Sequence, residues 1–247
     1  MNWVIVVFAM AAASGLTLAL IHALIWWRRR DAWANALFSL TAIGTTFFVA
    51  CNLALMCAQS PAQMASVIRW GQLAAWTIVL PLAWFVRVYW NAGRTWLVWT
   101  TCGLRTVSLF LNFSTGQNLN YREITGLDHV RLLGEAVPVP IGVPNPWMLI
   151  GQVSLLVLMV FVVDGAITVW RRGERRSAVL LGGSILLFAG GGVAQTAAIF
   201  WGLVHWPVIP SLFYLGLLAV MAYELAGDAL RAQQHWIQTR SSPMCSR

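Results

Sequence analysis

Residues Trp147–Arg176 read WMLIGQVSLLVLMVFVVDGAITVWRRGERR. From Trp147 to Trp170 the run is apolar, with Asp164 its single ionisable residue, and it gives way at once to Arg171, Arg172, Arg175 and Arg176. A helix needs about 20 apolar residues to cross a bilayer. A cluster of arginines at the end of such a run marks the cytoplasmic face. No sustained alternation argues for a membrane strand. This stretch therefore predicts a membrane-spanning helix with a known direction.

Working outward, the same pattern recurs along the 247-residue chain. Apolar runs fall at 3–27, 34–57, 67–90, 95–113, 147–170, 177–203 and 208–230. The predicted fold is an all-α integral membrane protein, a bundle of seven transmembrane helices. Composition agrees: 59% of residues are hydrophobic and 10% charged, against about 25% charge in soluble domains. Trp3, Trp26, Trp27, Trp90, Trp96, Trp147, Trp170 and Trp201 sit at run ends, where an amphipathic ring suits the headgroup layer.

Orientation follows from the arginines. One side holds Arg28, Arg29, Arg30, Arg87, Arg94, Arg171, Arg172, Arg175, Arg176, Arg231, Arg240 and Arg247; the other holds Arg69, Arg122 and Arg131. The N-terminus is expected outside and the C-terminus in the cytoplasm. A cleaved signal peptide would carry its charge before the apolar core, whereas Arg28–Arg30 come after it.

The net charge of +8 is all arginine, with no lysine in the chain. That excludes a retinal Schiff base. The arginines lie beside apolar runs, so membrane orientation explains them better than nucleic acid. Cys51, Cys57, Cys102 and Cys245 form no Cys-x-x-Cys or haem-attachment motif and read as small apolar residues. His22 and His205 lie at different depths, which argues against a bis-histidine haem. No cofactor is expected, and no phosphate-binding loop or metalloprotease motif is present.

Five connections are short. The remaining one, 114–146, is a long outer loop with Glu123, His129 and Glu135 as candidate sensing residues and four prolines, Pro138, Pro140, Pro144 and Pro146. Loops of that length are functional or disordered; an ordered cap, with room for a short hairpin, is the expectation. One histidine among carboxylates is a weak cation signal, and solvated charge is the plainer account. Small residues recur every fourth position at Ala11, Gly15, Ala19 and Ala23, and again at Gly190, Ala194, Ala198 and Gly202. Such stripes allow close helix packing, within one bundle or in a homodimer. Pro81 is expected to kink the third span.

Ionisable residues inside spans are functional candidates. Arg105, Asp164 and Glu224, with His22 nearby, are predicted to form an intramembrane polar cluster, either as a clamp or as a switch. From Tyr223 through Asp228 and Arg231 the seventh span reads as a helix continuing into a short cytoplasmic tail, 231–247, able to export a movement.

With these residues in hand, the chain resembles the seven-span N-terminal sensory module of bacterial sensor histidine kinases that carry PAS domains. The resemblance rests on the arginine hairpin after span one, Asn112-Phe113, Gly134-Glu135, Asn145-Pro146-Trp147, Trp170–Arg176, Tyr223-Glu224-Leu225, Asp228 and Leu230-Arg231-Ala232. It implies a non-enzymatic input unit in a bacterial inner membrane, sensing a small ligand or a membrane state. It also implies a cytoplasmic PAS and kinase transmitter as partner, in cis in relatives and absent from this sequence, which fits a truncated gene, a frameshift or a stand-alone input subunit with the transmitter in trans. Two other classes remain open: a small transporter of three-plus-one-plus-three design, and a structural subunit of a membrane complex.

Overall fold

A computed structural model describes residues 3–132, 135–200 and 214–227. The helices are α1 (Trp3–Arg28), α2 (Trp33–Met56), α3 (Pro61–Trp90), α4 (Thr95–Ser114), α5 (Met148–Arg171), α6 (Arg175–Ser177) and α7 (Gly183–Phe200), then α8 (Tyr214–Gly227). A π-helical turn, Ala178–Gly182, joins α6 to α7 in one rod. Between α4 and α5 lies an antiparallel hairpin of β1 (Tyr121–Leu132) and β2 (Glu135–Pro144).

Among the described residues, five rods are long and apolar enough to cross a membrane: Ile5–Arg28, Trp33–Met56, Pro61–Trp90, Met148–Arg171 and Arg175–Ile199. The chain thus has the make-up of a multi-pass helical membrane protein. Large apolar side chains, among them Leu24, Phe110, Leu156 and Leu187, point outward at helix surfaces, where water would penalise them and lipid would not. Trp3, Trp27, Trp96, Trp147 and Trp170 are exposed as a membrane-interface belt requires. Trp90 departs from that expectation. It is buried, and its indole N–H donates to Ser177 Oγ at 3.2 Å. Cys57 is exposed at the end of α2, unlike buried Cys51 and Cys102, and Cys245 lies outside the described residues.

Local sequence sets the element ends. α3 starts at Pro61, six residues before the apolar run. The Ser60 side chain accepts from Gln63 N (3.3 Å) and Gln63 Oε1 accepts from Gln59 N (3.0 Å). That reciprocal cap, with proline at the first helical position, extends the helix out of its apolar part. α3 runs unbroken through Pro81.

Close approach of helices follows the glycines. A methyl group on Gly44 would sit 2.9 Å from the Thr77 backbone, and one on Gly15 would sit 2.6 Å from Thr46 Oγ1. Ser39 Oγ adds a 2.8 Å bond to the Ala19 carbonyl. The stripe at Ala11, Gly15 and Ala19 thus seats α1 on α2. The second stripe differs: Ala194 is exposed, and α7 buries Ile185, Ala189 and Gly192 instead. Gly202 lies outside the described residues. The main core joins Phe38, Phe85, Phe161, Leu82, Leu158, Leu181 and Leu217 from four helices and the π turn.

Tyr121 and Ile124 seat the hairpin on Ala58, Met64 and Ala65 at the near ends of α2 and α3. Burial holds the Tyr121 phenol above its ordinary value, pushed up to about 12. Pro138, Pro140 and Pro144 occupy alternate positions of β2. Residues two apart share one side of a strand. The ladder with β1 persists past all three, so their missing N–H groups fall on the side away from β1.

Candidate functional site

Under the hairpin lies a cavity of about 390 Å³, walled by α2, α3, α4, α5, α7 and α8 and roofed by β2 from Val137 to Gly142. Its lining is chiefly aliphatic and aromatic, with Phe48, Leu55, Ile68, Leu155 and Tyr214 among the walls. The polar exceptions are Asn52, Gln72, Asn120, Gln152, Thr196 and Arg105.

Arg105 is the charged residue of this lining and is 7% exposed. It sits eleven residues past Arg94, or roughly 16 Å up α4 at 1.5 Å per residue. A guanidinium carries five N–H donors. Among the described residues it has one hydrogen bond, from Nη2 to Gln72 Oε1 at 3.4 Å, and no carboxylate faces it. Gly151 lets the α5 backbone approach: a methyl group there would meet Arg105 Nη1 at 3.2 Å and Ser108 Oγ at 3.1 Å. Two amide nitrogens on the cavity wall, Asn52 Nδ2 and Gln152 Nε2, are buried without a hydrogen-bond partner among the described residues, as is Ser108 Oγ. Buried polar groups are nearly always bonded, so two unpartnered amide nitrogens on one cavity wall beside Arg105 set it apart.

Gln72 links the cavity to its roof. Its Nε2 donates to Asn120 Oδ1 at 3.1 Å while its Oε1 accepts from Arg105. Asn120 belongs to a knot of buried amides at the hairpin base. Asn118 Oδ1 accepts from Asn120 N (3.0 Å) and Tyr121 N (2.8 Å). Asn112 Oδ1 accepts from Leu119 N (2.9 Å) while its Nδ2 donates to the Arg69 carbonyl (3.0 Å). Asn145 Nδ2 donates to the Asn118 carbonyl at 3.0 Å.

The expected cluster of Arg105, Asp164, Glu224 and His22 does not assemble. Asp164 Oδ2 accepts from the backbone N–H of Arg94 at 3.0 Å, with Arg94 Nε 3.8 Å from Oδ1. It therefore caps the start of α4, where a carboxylate suits the helix dipole, far below Arg105. Glu224 Oε2 accepts from Tyr89 Oη at 3.3 Å, one residue before the end of α3. His22 Nδ1 lies 2.7 Å from Asn35 Oδ1 and its ring lies over Phe38. Such a cluster needs the arginine-rich ends of α4 and α5 to be level. The Arg94–Asp164 contact shows that α4 begins one to two turns inside the end of α5.

The arginine-rich turns meet at this same end. Arg172 donates to the carbonyls of Trp90 (3.1 Å) and Asn91 (3.3 Å), closing the C-terminus of α3. Arg176 donates to Tyr223 Oη and lies over its ring. Tyr223 is thus placed, whereas Asp228 and Arg231 lie outside the described residues.

In the hairpin, Glu123 and His129 are exposed and six positions apart on β1, roughly 20 Å at 3.3 Å per residue. Glu135 opens β2 opposite Leu132; its side chain lies outside the described residues. No group of three His, Cys, Asp or Glu placed to hold a metal occurs among the described residues.

Compared with known proteins, the chain matches no family model and no curated sequence.

Proposed function

We propose that this chain is a seven-span input module of a membrane sensor, with its N-terminus outside and its C-terminus in the cytoplasm of a bacterial inner membrane. In this reading α4 and α8, which fall outside the five long apolar rods, complete the seven crossings. The module receives a stimulus beneath the outer hairpin and passes it to a cytoplasmic PAS and kinase transmitter.

One observation carries this reading: a single helix touches both ends of the system. α8 places Tyr214 in the cavity wall, and nine and ten residues later Tyr223 and Glu224 engage Arg176 and Tyr89 at the arginine-rich end. A shift of α8 at the cavity must disturb those two contacts, because a helix transmits displacement along its axis. The skewed arginine count supports the orientation.

The test uses the full chain in its native membrane, with a photo-cross-linking residue at the exposed position Ala226. The expected product is an adduct with a PAS- or kinase-containing protein whose phosphorylation changes when this chain is deleted. Substrate flux in proteoliposomes, with no such adduct, would overturn the sensory reading in favour of transport. A stoichiometric adduct with a non-signalling membrane complex would overturn it in favour of a structural subunit.

A further inference from the structure

We propose that the cavity under the hairpin binds an amphipathic carboxylate, with the acid group on Arg105 and the apolar body against the aliphatic walls. The inference deepens the sensory reading and rests on it only for what binding accomplishes; the binding itself stands on the geometry.

Charge comes first. An unpaired cation buried in a low-dielectric site is costly, which marks it as a functional candidate with a counter-charge as its natural partner. Arg105 is 7% exposed and, among the described residues, makes a single hydrogen bond, to a neutral acceptor at the long distance of 3.4 Å, with the neutral Tyr214 phenol as another polar neighbour. A guanidinium presents a fork that fits a planar carboxylate with two parallel bonds. The unpartnered Asn52 Nδ2, on a residue 3% exposed, and Gln152 Nε2 supply further donors on the same cavity wall. All of these groups give hydrogen bonds, so the missing component is an acceptor and an anion.

Shape and polarity narrow the class. A bare inorganic anion would leave Phe48, Leu55, Ile68 and Leu155 facing empty apolar space. The volume of about 390 Å³ falls at the lower end of the range of about 300–1,000 Å³ in which proteins hold small organic ligands. A medium-chain fatty acid and a small aromatic acid both fit, the first supplied by the bilayer and the second from outside. The Arg105–Gln72–Asn120 chain gives binding a consequence. A carboxylate that takes over the Arg105 donors releases Gln72 Oε1, the other end of whose amide holds the hairpin base.

The probe is decanoate, measured by equilibrium dialysis against the full chain in lipid nanodiscs, with empty nanodiscs as blank. Saturable binding is expected, with decanol and decyltrimethylammonium competing at least tenfold more weakly. Arg105→Gln should lose at least tenfold in affinity, and Arg105→Lys should recover part of it. Asn52→Leu guards against a misfolded charge variant. It removes an amide nitrogen that has no partner among the described residues, so its Tm should not fall, while decanoate affinity drops several-fold. Mass spectrometry of acids extracted from protein purified out of native membranes then separates the sources: a fatty acid points to the bilayer, an acid of the medium to the exterior, and either supports the class. Binding no greater than the blank, equal competition by decanol, or unchanged affinity in both Arg105→Gln and Asn52→Leu overturns the proposal. Failure here with the Ala226 adduct intact sinks only the ligand class; decanoate binding without that adduct sinks the transmitter partnership instead.

Discussion

At the arginine-rich end, polar groups that turn inward find complements: Arg94 meets Asp164, Arg172 closes two carbonyls, Arg176 meets Tyr223, and Tyr89 meets Glu224. Beneath the hairpin, the amides of Asn112, Asn118 and Asn145 are densely bonded, yet Arg105, Asn52 and Gln152 a few residues deeper are not. The first region holds the bundle together and, among the described residues, is closed by its own contacts except at Trp26 Nε1. The second is complete only at its rim. Buried networks are rigid when satisfied and costly when not, so the contrast separates scaffold from receptor within a single set of helices.

The sharpest way to break this contrast is Asn118→Ala. It removes the acceptor for Asn120 N and Tyr121 N, and each buried group left without a partner costs about 1–3 kcal/mol. A loss of about 2–5 kcal/mol is expected in denaturant unfolding of the detergent-solubilised chain, with protease cutting appearing first in the hairpin. If the hairpin stays resistant, the rim is not the scaffold described here.

Alkali tests the same rim more gently. The Tyr121 phenol stays protonated in the folded hairpin up to about 12, whereas an unfolded tyrosine ionises near about 10. Because the folded value is the higher one, the stabilisation is present below pH 10 and drains away as pH rises through 12. Its full extent is at most roughly 2–3 kcal/mol. Hydrogen exchange should show the hairpin loosening in that window, and Tyr121→Phe should remove the step.

Asp164→Asn should do least. The Arg94–Asp164 pair is half in solvent, with the two side chains 69% and 32% exposed. Exposed pairs contribute about 0.2–1 kcal/mol, and an amide oxygen still accepts from Arg94 N. A Tm change of a few degrees at most is expected. A collapse of the fold would show that the arginine-rich end depends on one charge rather than on many small closures.

Much of this was legible in the sequence, and for one reason: hydropathy reports on solvent. The helices begin and end within a few residues of their apolar runs wherever lipid sets the boundary. α3 shows where that fails, since Ser60, Pro61 and Gln63 start the helix by capping chemistry that hydropathy ignores. Arg105 was legible as a residue of interest, but its surroundings were not. Its supposed partners lie in other helices, and the offset between α4 and α5 is fixed by Arg94 and Asp164, not by run length. Gln72, Asn52 and Asn118 drew no notice, because single amides in apolar or loop sequence carry no periodic signal. The motif Asn145-Pro146-Trp147 was visible, and the structure gives Asn145 its work in tying the hairpin base.

The prolines of β2 govern how crowded copies behave. A lone hairpin on a membrane surface is a template on which identical neighbours could zip into a growing sheet. Of the four positions 138, 140, 142 and 144 on the flank that would receive an incoming strand, Pro138, Pro140 and Pro144 lack an amide hydrogen and Gly142 alone keeps one. Densely expressed molecules can therefore jostle cap to cap in two dimensions without crosslinking into β-aggregates along that flank.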